Sequence, residues 1–215
     1  MKTILAAAAL GFAATSALAS GPVAPPPYVP PVTVPTASAY DWSGAYAGLG
    51  VTYGRMQFDT NGAIPSYPDA DGWGLSGIAG YNWQSGNLVF GGEVVADFSN
   101  REGSNNCGVP GNVCDSIVEN QASIRGRVGY AMDRSLMFMT VGYGRDERAV
   151  AGTLGGGSAV YSGPMLGVGY EQALGSGAWT MRGDLEHYFY GDEPIGGVAT
   201  NGDTSILRLS VIRRF

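Results

Sequence analysis

The feature that most constrains this chain is an alternation of apolar and polar side chains over segments of about ten residues. Between residues 88 and 99 the apolar side chains stand mainly at even positions, whereas Glu93 and Asp97 stand at odd ones. Residues 118–130 and 205–215 repeat the pattern, with arginines on the polar parity. Because successive side chains of a strand point to opposite faces, this period of two predicts strands with one apolar and one polar face.

The same pattern, with lower contrast, extends over most of the chain after residue 41. The composition agrees with short strands and tight turns, since 35 residues are glycine, 11% are aromatic and only 14% are charged. Residues 136–144 are apolar on both parities, so the pattern does not assign their side chains to one face of the sheet or the other. The remaining strands are predicted around residues 45–53, 73–83, 136–143, 160–170 and 179–190, which brings the total to eight.

Eight such strands fit either a soluble sandwich or barrel with its apolar face inside, or a membrane barrel with its apolar face outside. The connections alternate between long ones, near residues 57–71, 100–117, 145–157 and 192–203, and tight turns at QSGN, AMDRS and ALGSG. Long loops at one end and short turns at the other are typical of outer-membrane barrels. We therefore predict an all-β fold, an eight-stranded antiparallel up-and-down transmembrane β-barrel.

The first 40 residues differ from the rest. Residues 1–19 have a charged start, a short apolar core and a small-residue ending at Ala19, which predicts a secretory signal peptide. Residues 20–40 are rich in proline and predict an extended periplasmic arm or linker. The barrel is assigned to residues 41–215. The net charge of −6 and the lack of a basic cluster argue against nucleic-acid binding.

Charged side chains on the polar parity would line the barrel interior. An eight-stranded barrel is wide enough only for its own side chains, so paired charges that fill the interior are favoured over an open pore. The alternative is a gated interior, in which a few charged pairs exchange partners and admit small solutes. The predicted interior set is Glu93, Asp97, Glu119, Arg125, Arg127, Glu171, Arg182, Asp184, Glu186, Arg208 and Arg214.

The tripeptide Arg182, Gly183, Asp184 resembles a cell-adhesion motif, but its arginine and aspartate have the interior parity. His187 falls on the outward parity, opposite to Glu186, and is predicted beside Phe189 at the outer interface. The sequence around His187 offers no serine and carboxylate at catalytic spacing, so we predict that the protein is not an enzyme. No cofactor or metal site is predicted.

The two cysteines, Cys107 and Cys114, fall on a predicted external loop in an oxidising compartment, so a disulfide is expected. Closing so short a loop stabilises by roughly 2 to 3 kcal/mol in the chain-entropy model and orders the loop tip. Two cysteines without further ligands nearby argue against zinc.

Several segments together carry a family resemblance. DWSGAYAGLGVTYG, AGYNWQSGNLVFGGEVVADFS, IRGRVGYAMDRSLMFMTVGYG, VGYEQALGSGAWTMRGDLEHYFYGD and the terminal RRF resemble, in order, the strands of the opacity and outer-membrane-immunogenic barrels of alphaproteobacteria. The resemblance covers about residues 41–215 and implies the Gram-negative outer membrane. Arg213 stands where the family commonly has an aromatic residue. The terminal Phe215 is the expected signal for the barrel-assembly machinery.

The expected role is structural: envelope integrity, with contacts to outer-membrane lipid and external loops available to protein partners. A narrow gated channel for small solutes is one alternative. A surface adhesin or receptor acting through the loops is the other.

Overall fold

The computed structural model describes residues 40–57, 67–153, 155–175, 177–191, 193–195, 198–200 and 202–215. The predicted signal peptide at residues 1–19 and the predicted arm at residues 20–40, apart from Tyr40, lie outside these described residues. No helix within the described ranges is long and apolar enough to span a membrane. The strands are β1 Gly44–Met56, β2 Ala70–Ser85, β3 Leu88–Asn105, β4 Cys114–Met132, β5 Ser135–Gly152, β6 Gly157–Ala173, β7 Trp179–Tyr188, β8 Glu193–Ile195, β9 Val198–Thr200 and β10 Thr204–Arg214.

Eight of these strands close into one barrel in the order β1-β10-β7-β6-β5-β4-β3-β2, and every neighbouring pair is antiparallel. The first strand closes the barrel against the last, with Tyr46 opposite Arg214 and Met56 opposite Thr204. Closure leaves the shared ladder without an edge strand, which satisfies the backbone polar groups inside the sheet. The predicted eight-stranded up-and-down barrel is therefore confirmed.

The apolar parity faces out of the barrel, and the polar parity faces in. On β10, Leu207, Leu209 and Val211 are exposed, whereas Arg208 is fully buried. The strand β5, which the sequence could not orient, places Leu136 and its even-numbered neighbours inside. This is the reverse of a soluble barrel, and it matches a surrounding solvent that is itself apolar.

The connections divide the barrel into two ends. At the turn end, residues 86–87 and 133–134 form two-residue turns, and residues 174–178 connect β6 to β7. At the loop end, longer connections join β1 to β2, β3 to β4 and β7 to β10, and the last of these contains the β8-β9 hairpin. Asp133 has a φ of 55°, which matches the left-handed conformation that Asp tolerates in a hairpin turn.

The strands are longer than the predicted ten residues. β3 to β6 have 17 to 19 residues each, so most of the predicted loops at residues 100–117 and 145–157 is strand. β7 and β10 have only 10 and 11 residues. The barrel rim is consequently uneven, and the loop-end parts of β3 to β6 (residues 101–105, 114–118, 145–152 and 157–163) form what we call the projecting lobe.

A β-bulge reverses the predicted orientation of the side chains in one part of β4. The pairing of β3 with β4 shifts by one residue between Phe98 and Arg101, and that of β4 with β5 shifts between Val118 and Gln121. An extra residue in a strand reverses the parity beyond it. Val118, predicted to face lipid with Ile124, is therefore fully buried inside.

Each end of the interior is filled by aromatic and apolar side chains. At the turn end, Trp42 packs with Leu136 and Phe138, and Tyr40 lies against it with ring centroids 4.7 Å apart. At the loop end, a cluster around Tyr161, Tyr188 and other side chains occupies the mouth. Between these two clusters lies the charged middle of the barrel.

Candidate functional site: the charged barrel interior

The barrel interior holds seven buried arginines and six buried carboxylates among the described side chains, which leaves a net charge of +1. Ten of the eleven residues predicted from parity are in this set. The eleventh, Glu119, lies next to the β4 bulge, and its side chain lies outside the described part of the structure. The arginines are Arg101, Arg125, Arg127, Arg148, Arg182, Arg208 and Arg214, and the carboxylates are Glu93, Asp97, Asp146, Glu171, Asp184 and Glu186.

Glu93 stands at the centre of the network. Arg182 donates to its two oxygens at 2.7 and 2.8 Å, and the Arg125 Nε donates to Oε1. Tyr46 on β1, the second strand away from β3, donates its hydroxyl to Oε2 at 2.7 Å. One carboxylate thus joins β1, β4 and β7 across the barrel, so the cross-section at this level is occupied by bonded side chains.

A second carboxylate, Glu186, lies on the loop side of Glu93. It accepts hydrogen bonds from Arg125 and Arg208, and Tyr188 donates its hydroxyl to it at 2.9 Å. Arg208 also reaches Asp97, with Nη2 at 3.0 and 2.8 Å from the two oxygens. Arg125 bridges the two glutamates, so the pairs form one continuous chain of charge-assisted hydrogen bonds.

The turn side of the network is organised by Glu171. Arg127 and Arg214 donate to it at 3.1 and 3.0 Å, and Thr180 donates its hydroxyl at 2.6 Å. Arg214 also donates to the Trp42 carbonyl at 2.6 Å and lies 4.7 Å from the centre of that ring. The segment that enters the barrel is thereby fixed in the turn-end mouth. Partial burial raises the pKa of the adjacent Tyr40 phenol above its ordinary value.

Phe138 explains why an apolar strand face points inward beside so many charges. The guanidinium carbons of Arg127 and Arg182 lie 3.9 and 4.6 Å from the centre of its ring. Stacked cation–π contacts of this kind hold the guanidinium planes while their edges bind carboxylates.

Sequence reasoning missed the loop-end part of the network. Asp146 and Arg148 were assigned to a loop, yet they pair inside the barrel with Nε–Oδ1 and Nη2–Oδ2 distances of 2.9 and 3.0 Å. Arg148 also lies 4.1 Å from the Tyr161 ring centre. Arg101, likewise assigned to a loop, donates to Gln121 at 3.2 Å. Because Asp146 and Arg148 alternate with the charged residues Arg145 and Glu147, the sequence carried no apolar-polar alternation that could have identified them as strand residues.

A glycine on β1 makes room for one of these long side chains. On β1, residues 48, 50 and 54 are glycines with the inward parity. At Gly54, a β-carbon would collide with the Arg101 guanidinium. The small Gly54 on β1 and the long Arg101 on β3 are therefore two parts of one packing arrangement.

The adhesion-like tripeptide lies inside the barrel. The Arg182 Nε and Nη2 donate to Asp184 Oδ1 at 2.9 and 2.7 Å, and both side chains are buried. A receptor outside the cell has no access to an internal ion pair, so this tripeptide does not form an adhesive loop.

His187 lies on the outer surface beside Phe189, with ring centroids 4.5 Å apart. The sequence around His187 has no serine and carboxylate at catalytic spacing, but the folded barrel brings one of each close to its ring. Ser205 Oγ is 2.9 Å from Nδ1, and Asp203 Oδ2 is 3.6 Å from Nε2. The contact arises because Ser205 on β10 is directly opposite His187 on β7, which sequence spacing cannot reveal.

The disulfide between Cys107 and Cys114 is present, as predicted, at the tip of the projecting lobe. It joins the end of β3 to the start of β4, and both cysteines are buried in the loop-end cluster. In the described residues, no group of three or more His, Cys, Asp or Glu side chains is arranged to hold a metal ion.

Comparison with known proteins agrees with this architecture. The chain is 31% identical over 143 residues to the 25 kDa outer-membrane immunogenic protein of Brucella canis, covering 64% of this chain and 61% of that protein. It is 30% identical over 139 residues to the 22 kDa outer membrane protein of Rhizobium leguminosarum bv. viciae, covering 62% and 57%. The chain thus matches less than two thirds of the length of these relatives.

Among solved structures, the Neisserial surface protein A superposes with a TM-score of 0.52 over 80% of this chain and 98% of that chain, at 15% identity. This similarity concerns the fold alone. The family model for the outer membrane protein beta-barrel domain matches residues 5–215. In barrels of this kind the short turns are periplasmic and the longer loops are external. The chain belongs to the outer membrane protein beta-barrel family and lies in the outer membrane of a Gram-negative bacterium.

Proposed function

We propose that the protein is a closed structural barrel that contributes to the integrity of the outer membrane. The observation that carries the proposal is the position of Glu93, which is bonded to Arg125, Arg182 and Tyr46 at mid-barrel. Eight strands leave room for one layer of side chains at each level, and this layer is bonded across the interior.

A gated channel would require these pairs to separate. Removing one partner from a buried ion pair costs about 3 to 5 kcal/mol, because the other charge is left without compensation. Arg125 joins Glu93 to Glu186, and Arg208 joins Glu186 to Asp97. A passage would therefore have to break several linked pairs at once, which favours a closed barrel.

We propose no catalytic role for the cluster of His187, Ser205 and Asp203. A serine hydrolase needs donors aimed at the developing oxyanion, commonly free backbone N–H groups. Ser205 and His187 stand on strands that pair with neighbours on both sides. Their backbone groups belong to the barrel ladder, which favours a surface hydrogen bond as the role of the cluster.

The test of the closed barrel is single-channel recording in planar bilayers. The wild-type protein is expected to show no reproducible unitary openings, and the outward-facing variant Arg145→Ala, as a control, should behave identically. Openings in the wild type that Arg127→Ala alters would favour the channel instead. In parallel, a strain without the protein should become more sensitive to detergent, and the full-length chain should restore resistance.

A second candidate function, surface contact, is favoured by the projecting lobe. Residues 157–163 of β6 lie beyond the last β6–β7 pair, Met165 with Tyr188, and at about 3.3 Å per residue they form about 23 Å of strand. The disulfide fixes the tip of the lobe. We propose that this rigid lobe, rather than a flexible loop, presents the external surface to protein partners.

Site-specific photo-crosslinking in growing cells tests the lobe. A photoreactive residue at Val160 is compared with one at Val168, which faces outward from the same strand, and the two side chains are 43% and 51% exposed. A discrete protein adduct at Val160 and none at Val168 supports the proposal. Equal labelling at both positions, or none at Val160, contradicts it.

The C-terminal residue is proposed to guide assembly. Phe215 follows β10, is 74% exposed, and donates its backbone N–H to Ala45 across the barrel closure at 2.9 Å. Deleting Phe215 should reduce the amount of folded barrel in the outer membrane without changing synthesis, as measured by mobility of unboiled samples in electrophoresis. An unchanged folded fraction would remove this role.

A further inference from the structure

Arginines on the outer surface of the barrel differ in their surroundings. Three strand arginines face outward in the described residues: Arg55, Arg145 and Arg213. The first two lie at the loop end and each has a carboxylate partner, with Nη2–O distances of 3.5 Å to Asp69 and to Glu147. Arg213 lies at the turn end and forms no ion pair with any carboxylate in the described part of the chain.

Aromatic rings hold the Arg213 side chain. Its guanidinium carbon lies 5.6 Å from the Trp179 ring centre and 5.5 Å from the Phe215 ring centre. Trp179 is directly opposite on β7, and the other neighbour across the sheet is the small residue Ala47 on β1. The guanidinium is thus flanked by rings, and its N–H groups form no hydrogen bond or ion pair with any side chain that the structure describes.

The position of Arg213 along β10 determines which part of the lipid lies next to it. Leu207, Leu209 and Val211 precede it on the outward face of β10, and the strand ends one residue later, at Arg214. Trp and Tyr belts mark the level of the lipid headgroups, and Trp179 lies in the belt at the turn end. A guanidinium at that level with no protein counter-ion matches the phosphate group of a lipid, which it can bind through two parallel N–H donors.

We propose that Arg213, flanked by Trp179 and Phe215, is a binding site for the phosphate of a glycerophospholipid in the periplasmic leaflet. Phospholipids form that leaflet, whereas phosphorylated glycolipids form most of the external one. The site goes beyond the structural function proposed above, and its failure would leave that proposal intact. Because Trp179 and Phe215 are on different segments, the bound lipid would also link β7 to the chain terminus at the barrel closure.

Native mass spectrometry of the full-length folded barrel tests the site, with phosphatidylglycerol as the probe and phosphorylated lipid A as the second probe. Arg213→Ala should lower the fraction of barrel that retains phosphatidylglycerol by at least fivefold. Arg145→Ala is the matched control, since it removes an outward arginine at the opposite end, and its retention should equal that of the wild type. Arg213→Lys should retain an intermediate fraction, because it keeps the charge but loses the planar fork.

Three outcomes with the alanine variants would overturn the proposal. Retention by Arg213→Ala equal to the wild type would show that the guanidinium binds no phospholipid. Equal losses in Arg213→Ala and Arg145→Ala would show a general charge effect. If Arg213→Ala lost lipid A but retained phosphatidylglycerol, the site would bind the lipid of the external leaflet and not that of the periplasmic one.

A further variant tests whether lost lipid binding results from misfolding. Arg213→Phe keeps a large side chain in the aromatic belt, so it should fold and migrate in unboiled electrophoresis like the wild type, yet lose phosphatidylglycerol as Arg213→Ala does. Normal folding with normal lipid retention in Arg213→Phe would also contradict the proposal, because the rings alone would then suffice.

Discussion

Glu93 and Arg182 are separated by 89 residues in the sequence, yet they meet at the centre of the barrel in two hydrogen bonds of 2.7 and 2.8 Å. The pair joins β3 to β7 across the interior rather than along the sheet. Its two side chains are buried, and both have further partners, Arg125 and Asp184 respectively. The interior side chains therefore form one network, and single substitutions can test how much individual residues stabilise the barrel.

Glu93→Ala should destabilise the barrel by about 3 to 5 kcal/mol, since Arg125 and Arg182 would lose their shared counter-charge while staying buried. Urea-induced unfolding in lipid vesicles measures the free energy of unfolding. Glu102→Ala, which removes an exposed carboxylate from the same strand, should change it by less than about 0.5 kcal/mol. Similar values for both variants would contradict a role of the network in stability.

Trp42→Ala should lower the free energy of unfolding by about 3 to 5 kcal/mol, because a buried ring at the turn-end mouth is lost. Conductance should nevertheless stay absent, since Glu93 and its partners lie further inside. Planar bilayer recording of the same preparation checks this. Steady conductance in Trp42→Ala would show that the turn-end plug, and not the charged middle, closes the barrel.

Reduction of the Cys107–Cys114 disulfide should affect the tip of the lobe and leave the barrel folded. The expected loss is roughly 2 to 3 kcal/mol in the chain-entropy model, confined to a short loop. Limited proteolysis of intact cells, with and without reductant, measures cleavage between residues 106 and 113. Unboiled electrophoretic mobility should not change, and unfolding of the whole barrel on reduction would oppose this expectation.

Gly163→Val should destabilise the lobe side of the barrel by about 1 to 3 kcal/mol, because its β-carbon would collide with the backbone oxygen of Phe189. Gly77→Val is the control, since a β-carbon there meets open space on the outer face. Thermal unfolding followed by circular dichroism compares the two. Equal tolerance would mean that the Phe189 segment moves away without cost.

Parity explains why so much of this fold follows from the sequence. The period of two separates Arg208 from Leu207 and Leu209 without any knowledge of the neighbouring strands, and mid-strand arginine on the lipid side costs about 2 to 4 kcal/mol. The facing of β5 could not be predicted in this way. Leu136 and Phe138 point inward because the arginines of neighbouring strands stack on Phe138, which is a tertiary contact.

Two of the predictions were wrong because strand pairing, and not hydrophobicity, decides the features concerned. Val118 lies inside because a bulge shifts the register, and a bulge leaves no mark in a hydrophobic pattern. Asp146 and Arg148 were assigned to a loop, because polar residues above the membrane belt alternate with other polar residues there. Strand length beyond the lipid is set by pairing with neighbouring strands, and not by hydrophobicity.

The sequence by itself determined the fold class, the number of barrel strands and the face on which most interior charges lie, because these depend on local alternation and on turn spacing. Only the tertiary structure decided which charges meet. Glu93 binds Arg125 from the adjacent strand and Arg182 from across the barrel, and Ser205 reaches His187 through the register of β7 and β10. Such contacts depend on barrel closure and on register, which join residues far apart in the chain.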